Sequence, residues 1–191
     1  MANFLAERIP SDRAMSDPFF CALPHPATLE IDSLLAQCDL RAVRGSGPGG
    51  QHRNKVSTGI VVTHRDTRIT GEATERRSQS QNRQVAIHRL RIRLAIRLRT
   101  KQADVTTGSS LATFAESYGG VRLRIAESNL HYASLLAALL DRIFQQQGDL
   151  TAAASDLLTT SSQIVRLLRA QPEALKIVNG WRSDASHHPL R

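Results

Sequence analysis

The sequence predicts an α+β fold, with a small mixed sheet and one long basic helix, followed by an all-α helical bundle. Three observations lead to this prediction. Short strand-like runs flank a glycine-rich segment at residues 44–55. A helical pattern of apolar residues covers 78–102. Four later segments also have the amphipathic spacing of helices: 130–144, 150–158, 162–170 and 172–181.

The first part of the chain predicts an arm, a short helix and three strands. Residues 1–27 contain four prolines and no sustained periodicity, so we expect a loosely ordered N-terminal arm. Spaced leucines and isoleucine predict a short helix over 28–38. Residues 39–44 then predict a strand that enters the glycine-rich segment. The β-branched run 59–64 and the run 68–73 predict two further strands joined as a hairpin.

The long helix is predicted over 78–102, where Ser78 and Gln81 have the spacing of a capping box. Its apolar stripe consists of Ile87, Leu90, Leu94 and Leu98. Another face carries bases four residues apart: Arg89, Arg93, Arg97 and Lys101. No acids are interleaved with them, and like charges at this spacing repel each other. The pattern favours contact with an external polyanion such as RNA, although a merely solvated helix face is the alternative.

The charge and composition define the remaining organisation. The net charge is +8, and residues 39–103 alone carry +11, which is typical of a polyanion-binding module rather than of evenly spread solubility charge. The polar segment 104–111 predicts a linker between a domain at 28–103 and a helical domain at 112–191. A helix-turn-helix within the latter is the alternative to a bundle that buries its own leucines.

Several classes of site are not supported by the sequence. Cys21 and Cys38 lack metal-ligand spacing, so we expect no metal and no cofactor, with free thiols favoured over a single disulfide. No apolar run reaches membrane-spanning length and no secretory signal is present, which predicts a soluble cytoplasmic protein. The glycines at 45, 47 and 50 match a dinucleotide fingerprint only formally, because Pro48 interrupts it and no acid follows at the required distance.

The glycine-rich segment itself indicates a loop that presses against a phosphate-rich surface. Four glycines and a proline fall within residues 45–50, and bases flank them at Arg44, Arg53 and Lys55. Glycine permits unusual backbone conformations and close approach to another surface. Backbone N–H groups in such a loop bind anions, and the flanking bases favour phosphate.

The run Arg44-x-Ser46-Gly47-x-Gly49-Gly50-Gln51-His52-x-Asn54 resembles the catalytic loop of class I peptide chain release factors and their ribosome-rescue relatives. The same family order continues downstream with Thr63-His64, Glu75-Arg76-Arg77-Ser78-Gln79 and Asn82-Arg83. The resemblance covers roughly residues 38–100. It implies a small α+β domain, named for its GGQ tripeptide, that enters the peptidyl transferase centre of the large ribosomal subunit. There it would hydrolyse the ester between nascent peptide and tRNA.

The resemblance also implies roles for individual residues. Gly49, Gly50 and Gln51 would be catalytic, with the Gln51 backbone N–H stabilising the developing oxyanion and its side chain confining the attacking water. The RNA-binding residues expected from the loop and the basic segments are Arg44, Ser46, His52, Arg53, Asn54, Lys55, Arg76, Arg77, Arg89, Arg93 and Arg97. With aromatic residues at only 4%, we expect recognition by shape and charge rather than by base stacking.

The departures from the family pattern narrow the functional prediction. No length remains for codon-reading domains, and residues 104–191 lack the basic tail of the rescue hydrolases. The preferred hypothesis is a codon-independent peptidyl-tRNA hydrolase that acts on stalled ribosomes or large subunits. One alternative is a noncatalytic ribosome- or RNA-binding factor. Another is a release factor that depends on a protein partner docked on residues 112–191.

Overall fold

The computed structural model describes residues 19–44, 57–100 and 123–191. These residues divide into two compact units. The sheet unit contains the described residues of 29–94, and the helical unit contains 19–28, 95–100 and 123–191. The boundary falls inside a helix, between residues 94 and 95. The predicted linker at 104–111 lies outside the described residues, so the predicted domain limits stay predictions.

The elements follow one another in a simple order. The helices and strands are β1 Phe19–Cys21, a 3-10 turn Pro26–Thr28, α1 Ile31–Leu35, β2 Cys38–Val43, β3 Gly59–His64, β4 Thr70–Ala73, α2 Gln79–Arg97, β5 Leu98–Thr100, α3 Tyr132–Gln145, α4 Leu150–Asp156, α5 Ser161–Arg169 and α6 Pro172–Asp184. None of the helices in the described ranges is long and apolar enough to cross a lipid bilayer.

The sheet unit is built on an antiparallel sheet in the order β2-β3-β4. Ile60 and Val62 are buried while Val61 and Thr63 are half-buried, as the two-residue period of a strand requires. Helix α2 packs closely on β4 at Gly71, where an added Cβ would overlap the Ala86 carbonyl oxygen. The predicted hairpin of β3 and β4 is confirmed, and β3 has the predicted bounds.

The predicted single mixed sheet is wrong in one respect, because the described strands form two separate sheets. The second is the parallel pair of β1 and β5, with Phe19 opposite Leu98 and Cys21 opposite Thr100. Residues 98–100 were predicted to continue helix α2, which instead ends at Arg97. Residues 19–27 of the predicted arm supply both the partner strand and the following 3-10 turn.

The early end of α2 has an explanation in the packing of Arg99, whose side chain is 1% exposed. Its Nη1 donates to Asp141 Oδ1 at 3.0 Å, and the Thr100 hydroxyl donates to the other carboxylate oxygen at 2.7 Å. The guanidinium also lies 5.5 Å from the centre of the Trp181 ring. A buried charge requires such partners, and the strand brings both residue 99 and residue 100 onto the same carboxylate.

The helical unit is organised around the four C-terminal helices that the apolar spacing predicts. Helix α3 contacts α4 and α6, and α5 contacts α4 and α6. Two of the helices begin at side-chain caps: Asp149 accepts hydrogen bonds from the N–H groups of Thr151 and Ala152, and Thr160 accepts from that of Gln163. The core consists mainly of leucines, isoleucines and alanines on the inward face of the helices, with Trp181.

Candidate functional site

The base of the glycine-rich loop is closed by the last residue of β2 and the first residue of β3. Val43 lies directly opposite Gly59 in the antiparallel register, so the chain enters and leaves the loop side by side. A Cβ added at Gly59 would lie 2.8 Å from Thr74 Cγ2 and 2.9 Å from the Val43 carbonyl oxygen. Only a glycine therefore fits between the two neighbouring segments at this position.

The predicted catalytic residues lie within this loop. Gly49, Gly50 and Gln51 fall in the segment 45–56, outside the described residues, as do five predicted RNA-binding residues: Ser46, His52, Arg53, Asn54 and Lys55. Their assigned roles stay predictions. The described residues define where the loop begins and ends and which side chains hold those ends.

The exit of the loop is bound to the first turn of α2 through Asn82. This side chain is completely buried, and its Nδ2 donates to the carbonyl oxygens of Thr58 at 2.7 Å and Arg76 at 2.9 Å. Its Oδ1 accepts from the Arg76 N–H at 2.9 Å. One turn earlier, Gln79 Nε2 donates to the Ser57 carbonyl oxygen at 3.1 Å. Two side chains of one helix thus hold two consecutive residues of the loop exit.

Exposed arginines surround these anchoring residues in the sequence. Arg44 precedes the loop, Arg76 is bound through its backbone to Asn82, and Arg77 and Arg83 flank the start of α2. All four are exposed, and none forms an ion pair with another described residue. Helix α2 has no acid in its first turn. The positive charge here is uncompensated, as an interface with polyanions requires.

Arg83 and the two anchoring residues were not among the predicted site residues. The signal that could have indicated them was present, because Gln79, Asn82 and Arg83 all belong to the motifs that follow the family order. From sequence periodicity alone, Asn82 is predicted only to be a polar residue in a helix. Its complete burial and its three hydrogen bonds depend on contacts that the helical pattern does not contain.

The basic stripe along α2 differs from its prediction in part, because acids outside the helix pair with two of its arginines. Arg89 Nη2 binds Glu75 Oε1 at 2.7 Å, and its Nη1 donates to the Glu72 carbonyl oxygen. Arg97 Nε donates to Glu173 Oε1 at 2.6 Å. Arg93 donates to the Thr70 carbonyl oxygen at 2.8 Å. The uncompensated repulsion inferred from the sequence is therefore wrong for Arg89 and Arg97, whereas Lys101 lies outside the described residues.

The ion pair of Arg89 with Glu75 lies in different surroundings from the ion pair of Arg99 with Asp141. The hydrogen bonds that the Glu75 carboxylate accepts from backbone N–H groups, with help from Arg89, hold its pKa below its usual range. Burial lowers the pKa of Arg99 to about 10, while the charge of Asp141 opposes that change. Arg89 is exposed and Arg99 is not, so only the second pair lies in the protein interior.

His64, the histidine of the Thr63-His64 motif, has a structural role. It is buried, with Nε2 at 3.2 Å from Gln37 Oε1 and Nδ1 at 3.0 Å from the Thr67 hydroxyl. Desolvation lowers the pKa of His64, which favours the neutral ring. The hairpin turn is thereby tied to the segment before β2.

No metal-binding group of histidine, cysteine and acidic side chains occurs in the described ranges. Cys21 and Cys38 are free thiols. Desolvation is the main cause that raises the pKa of Cys21 to about 11, so its reactive thiolate form is disfavoured. The arrangement that the structure offers for chemistry is therefore the loop base with its anchors and exposed arginines.

Known proteins are similar to this chain in the region that contains the loop and its anchors. The family model of the RF-1 domain matches residues 28–128, which include the loop, its base and all of α2. Peptide chain release factor 2 of Lactiplantibacillus plantarum is 40% identical over 76 residues, covering 40% of this chain and 20% of the relative. Peptide chain release factor 1 of Acidiphilium cryptum is 31% identical over 156 residues, covering 76% of this chain and 42% of the relative.

A third relative comes from an animal. The probable mitochondrial peptide chain release factor 1 of Caenorhabditis elegans is 38% identical over 82 residues, covering 43% of this chain and 20% of the relative. The chain thus spans less than half the length of each of these relatives. No solved structure matches it.

Proposed function

Since this chain belongs to the class I peptide chain release factor family, we propose that it releases nascent peptides by hydrolysing the peptidyl-tRNA ester. The reaction would take place in the peptidyl transferase centre of the large ribosomal subunit, and we propose the cytoplasm as its location. One observation carries the proposal: the Gly49-Gly50-Gln51 motif lies in the family-matched region, on a loop whose two ends meet at Val43 and Gly59.

Hydrolysis of the ester requires mainly that the water and the groups that stabilise negative charge are correctly positioned. Water is a weak nucleophile, so the catalyst has to orient it and stabilise the negative charge that develops on the ester oxygen. A preorganised backbone N–H is suited to the second task. We assign it to Gln51, with the Gln51 side chain confining the water and with Gly49 and Gly50 permitting the backbone shape.

The proposed partner is ribosomal RNA together with peptidyl-tRNA, and the described arginines are unequal candidates for contacting it. Arg44, Arg76 and Arg77 are exposed and have no acidic partner among the described residues, which supports their assignment to phosphate contacts. Arg89 and Arg97 would have to leave Glu75 and Glu173 to bind phosphate fully, and Arg93 is engaged by a carbonyl oxygen. We therefore propose smaller contributions from these three residues.

We further propose that release does not depend on the codon in the A site. The support is that the features on which the hydrolysis depends all belong to the sheet unit with its loop. Helices α3–α6 begin after the family match ends at residue 128. In the partner-dependent alternative, they belong to the region, 112–191, where a stall-sensing protein partner would dock.

The experiment that tests the proposal is peptide release from ribosomes loaded with labelled peptidyl-tRNA, with a stop codon, a sense codon or a truncated message in the A site. We expect similar release on all three. Gly50→Ala should lower the rate by about 10²–10³ while ribosome binding is retained, because an oxyanion donor is displaced. Ser162→Ala, an exposed change in α5, is the control and should release at the wild-type rate.

The alternatives give different results in the same assay. Ribosome binding without release, on intact ribosomes and on isolated large subunits alike, would indicate a noncatalytic binding factor. Release from isolated large subunits but not from intact ribosomes would indicate a partner-dependent factor. Release that is unchanged in Gly50→Ala would contradict the proposed role of the glycine loop.

A further inference from the structure

The two ends of the glycine-rich loop are held in different ways. At the entry, the chain leaves β2 at Val43, and the next residue, Arg44, is exposed. At the exit, the carbonyl oxygens of Ser57 and Thr58 each accept a hydrogen bond from a side chain of α2. The direction in which the chain runs between loop and β3 is therefore determined by side chains of the helix as well as by strand pairing.

Asn82 is suited to this task because both its side-chain NH₂ group and its side-chain oxygen form hydrogen bonds to nearby backbone groups. Both Nδ2 hydrogens are donated, to Thr58 and Arg76, and Oδ1 accepts the Arg76 N–H. A buried amide that lost these partners would destabilise the protein by about 1–3 kcal/mol for each unsatisfied group. The side chain therefore joins three segments: the loop exit, the residues before α2 and α2 itself.

Gln79 complements Asn82 from an exposed position. Its side chain is exposed, and within the described ranges it forms one hydrogen bond, to the Ser57 carbonyl oxygen. A replacement at this position is therefore expected to leave the folding free energy nearly unchanged. This makes Gln79 a means of altering the hold on the loop exit without disturbing the rest of the sheet unit.

We propose that Gln79 and Asn82 are positioning residues for the glycine-rich loop, holding its exit so that Gly49, Gly50 and Gln51 are presented in one productive orientation. The inference rests on the proposed hydrolysis. Its physical basis is that a displacement of about 1 Å of a catalytic group can lower a rate about 10²-fold. Neither residue touches the reacting atoms in this scheme, since each acts through the backbone of residues 57 and 58.

The first experiment uses matched variants of Gln79. Gln79→Met keeps the length of the side chain but removes the donor, whereas Gln79→Lys restores a donor that can reach the Ser57 carbonyl oxygen. We expect Gln79→Met to lower the kcat for peptide release about 3- to 10-fold, with KM for ribosomes and the thermal midpoint unchanged, and Gln79→Lys to recover most of the loss. Gln84→Met, another exposed glutamine of α2, is the control and should match the wild type.

The second experiment uses Asn82→Asp, which keeps the acceptor for the Arg76 N–H but replaces the donor to Thr58 by a carboxylate oxygen. We expect kcat to fall about 10²-fold at a temperature well below the measured thermal midpoint. Equal kcat values for wild type, Gln79→Met and Asn82→Asp would overturn the inference. A change in KM alone would also overturn it, because that would indicate ribosome binding rather than loop orientation.

A measurement without ribosomes separates failure of this inference from failure of the proposed function. Amide hydrogen exchange at residues 57–59 should be faster in Gln79→Met and in Asn82→Asp than in Gln84→Met, because the loop exit has lost a tether. A wild type that releases no peptide would refute the proposed function. Unchanged exchange in both variants would refute the hold on the loop exit, whatever the activity.

Discussion

The two ends of helix α2 use arginine in opposite ways. Around its first turn, Arg76, Arg77 and Arg83 are exposed and form no ion pair within the described part of the chain. At its last turn, Arg97 binds Glu173, and Arg99 in the adjoining strand is buried against Asp141. The same residue type therefore provides free positive charge at one end and internal cross-links at the other.

The surroundings of the two ends explain the difference. At the N-terminal end, polar side chains of α2 hold the backbone of a loop, and the nearby bases face solvent. At the C-terminal end, the Leu98 carbonyl oxygen meets the buried ring of His25, and Arg99 lies against Trp181. We interpret the first end as the one that serves ribosome contact and the second as one that stabilises the helical unit.

The largest effect is expected from Arg99→Met. The change leaves the carboxylate of Asp141 buried without its cation, and breaking a buried ion pair in this way typically lowers the free energy of unfolding by about 3–5 kcal/mol. Urea denaturation measures the effect, and Arg77→Met, an exposed arginine at the other end of α2, should change stability by less than about 0.5 kcal/mol. Equal losses in the two variants would remove the proposed distinction between the ends.

Lowering the pH is expected to reduce the free energy of unfolding by a similar amount, through the protonation of His25. Burial lowers its pKa from 6.5 to about 4, and Nδ1 accepts a hydrogen bond from the Ala27 N–H that a protonated ring could not accept. As the pH falls below 6.5, the unfolded chain binds a proton that the folded protein does not bind until about pH 4. Stability should therefore fall across this window, by about 3 kcal/mol in total, and be fully present above it.

The measurement for His25 compares unfolding free energies at several pH values between 7 and 4 for wild type and His25→Gln. Glutamine offers both a donor and an acceptor but does not titrate, so the variant should show a smaller loss of stability over this range. The same pH dependence in both proteins would assign the effect to other groups.

An intermediate effect is expected on ribosome binding. Arg76→Ala and Arg77→Ala should each lower the slope of log affinity against log salt concentration by about 1, since each removes a proposed phosphate contact. Arg89→Ala and Arg93→Ala should change the slope less, because both guanidiniums already have partners in the protein. Binding to isolated large subunits over a salt series measures this, and a larger change for the second pair would reverse the comparison.

The smallest effect is expected from Glu75→Gln. Its pair with Arg89 is about half exposed on both sides, and such surface pairs contribute about 0–1 kcal/mol to stability. The change should remove the ion pair of Arg89, leave its hydrogen bond to the Glu72 carbonyl oxygen, and slightly strengthen binding to large subunits. Glu72→Gln removes the same charge without breaking an ion pair and is the matched control. A binding gain of equal size in the two variants would indicate net charge alone.

Local sequence patterns were sufficient to predict much of the sheet unit. Strand β3 has its predicted bounds, the hairpin with β4 is present, and α2 begins one residue after the predicted cap at Ser78. The family resemblance of the glycine-rich segment is confirmed by the match to the RF-1 domain, while the roles of its residues stay predictions. These features could be predicted because strand alternation, turn residues and helix caps are properties of residues adjacent in the chain.

The partners of the charged and polar side chains could be decided only by the tertiary structure. Arg97 is 76 positions from Glu173, Arg99 is 42 positions from Asp141, and Asn82 is 24 positions from Thr58. The end of α2 at Arg97 likewise depends on a strand at 19–21 that pairs with β5. Periodicity shows which face of a helix a residue occupies. What that face meets is determined by burial, and burial arises only when distant segments pack together.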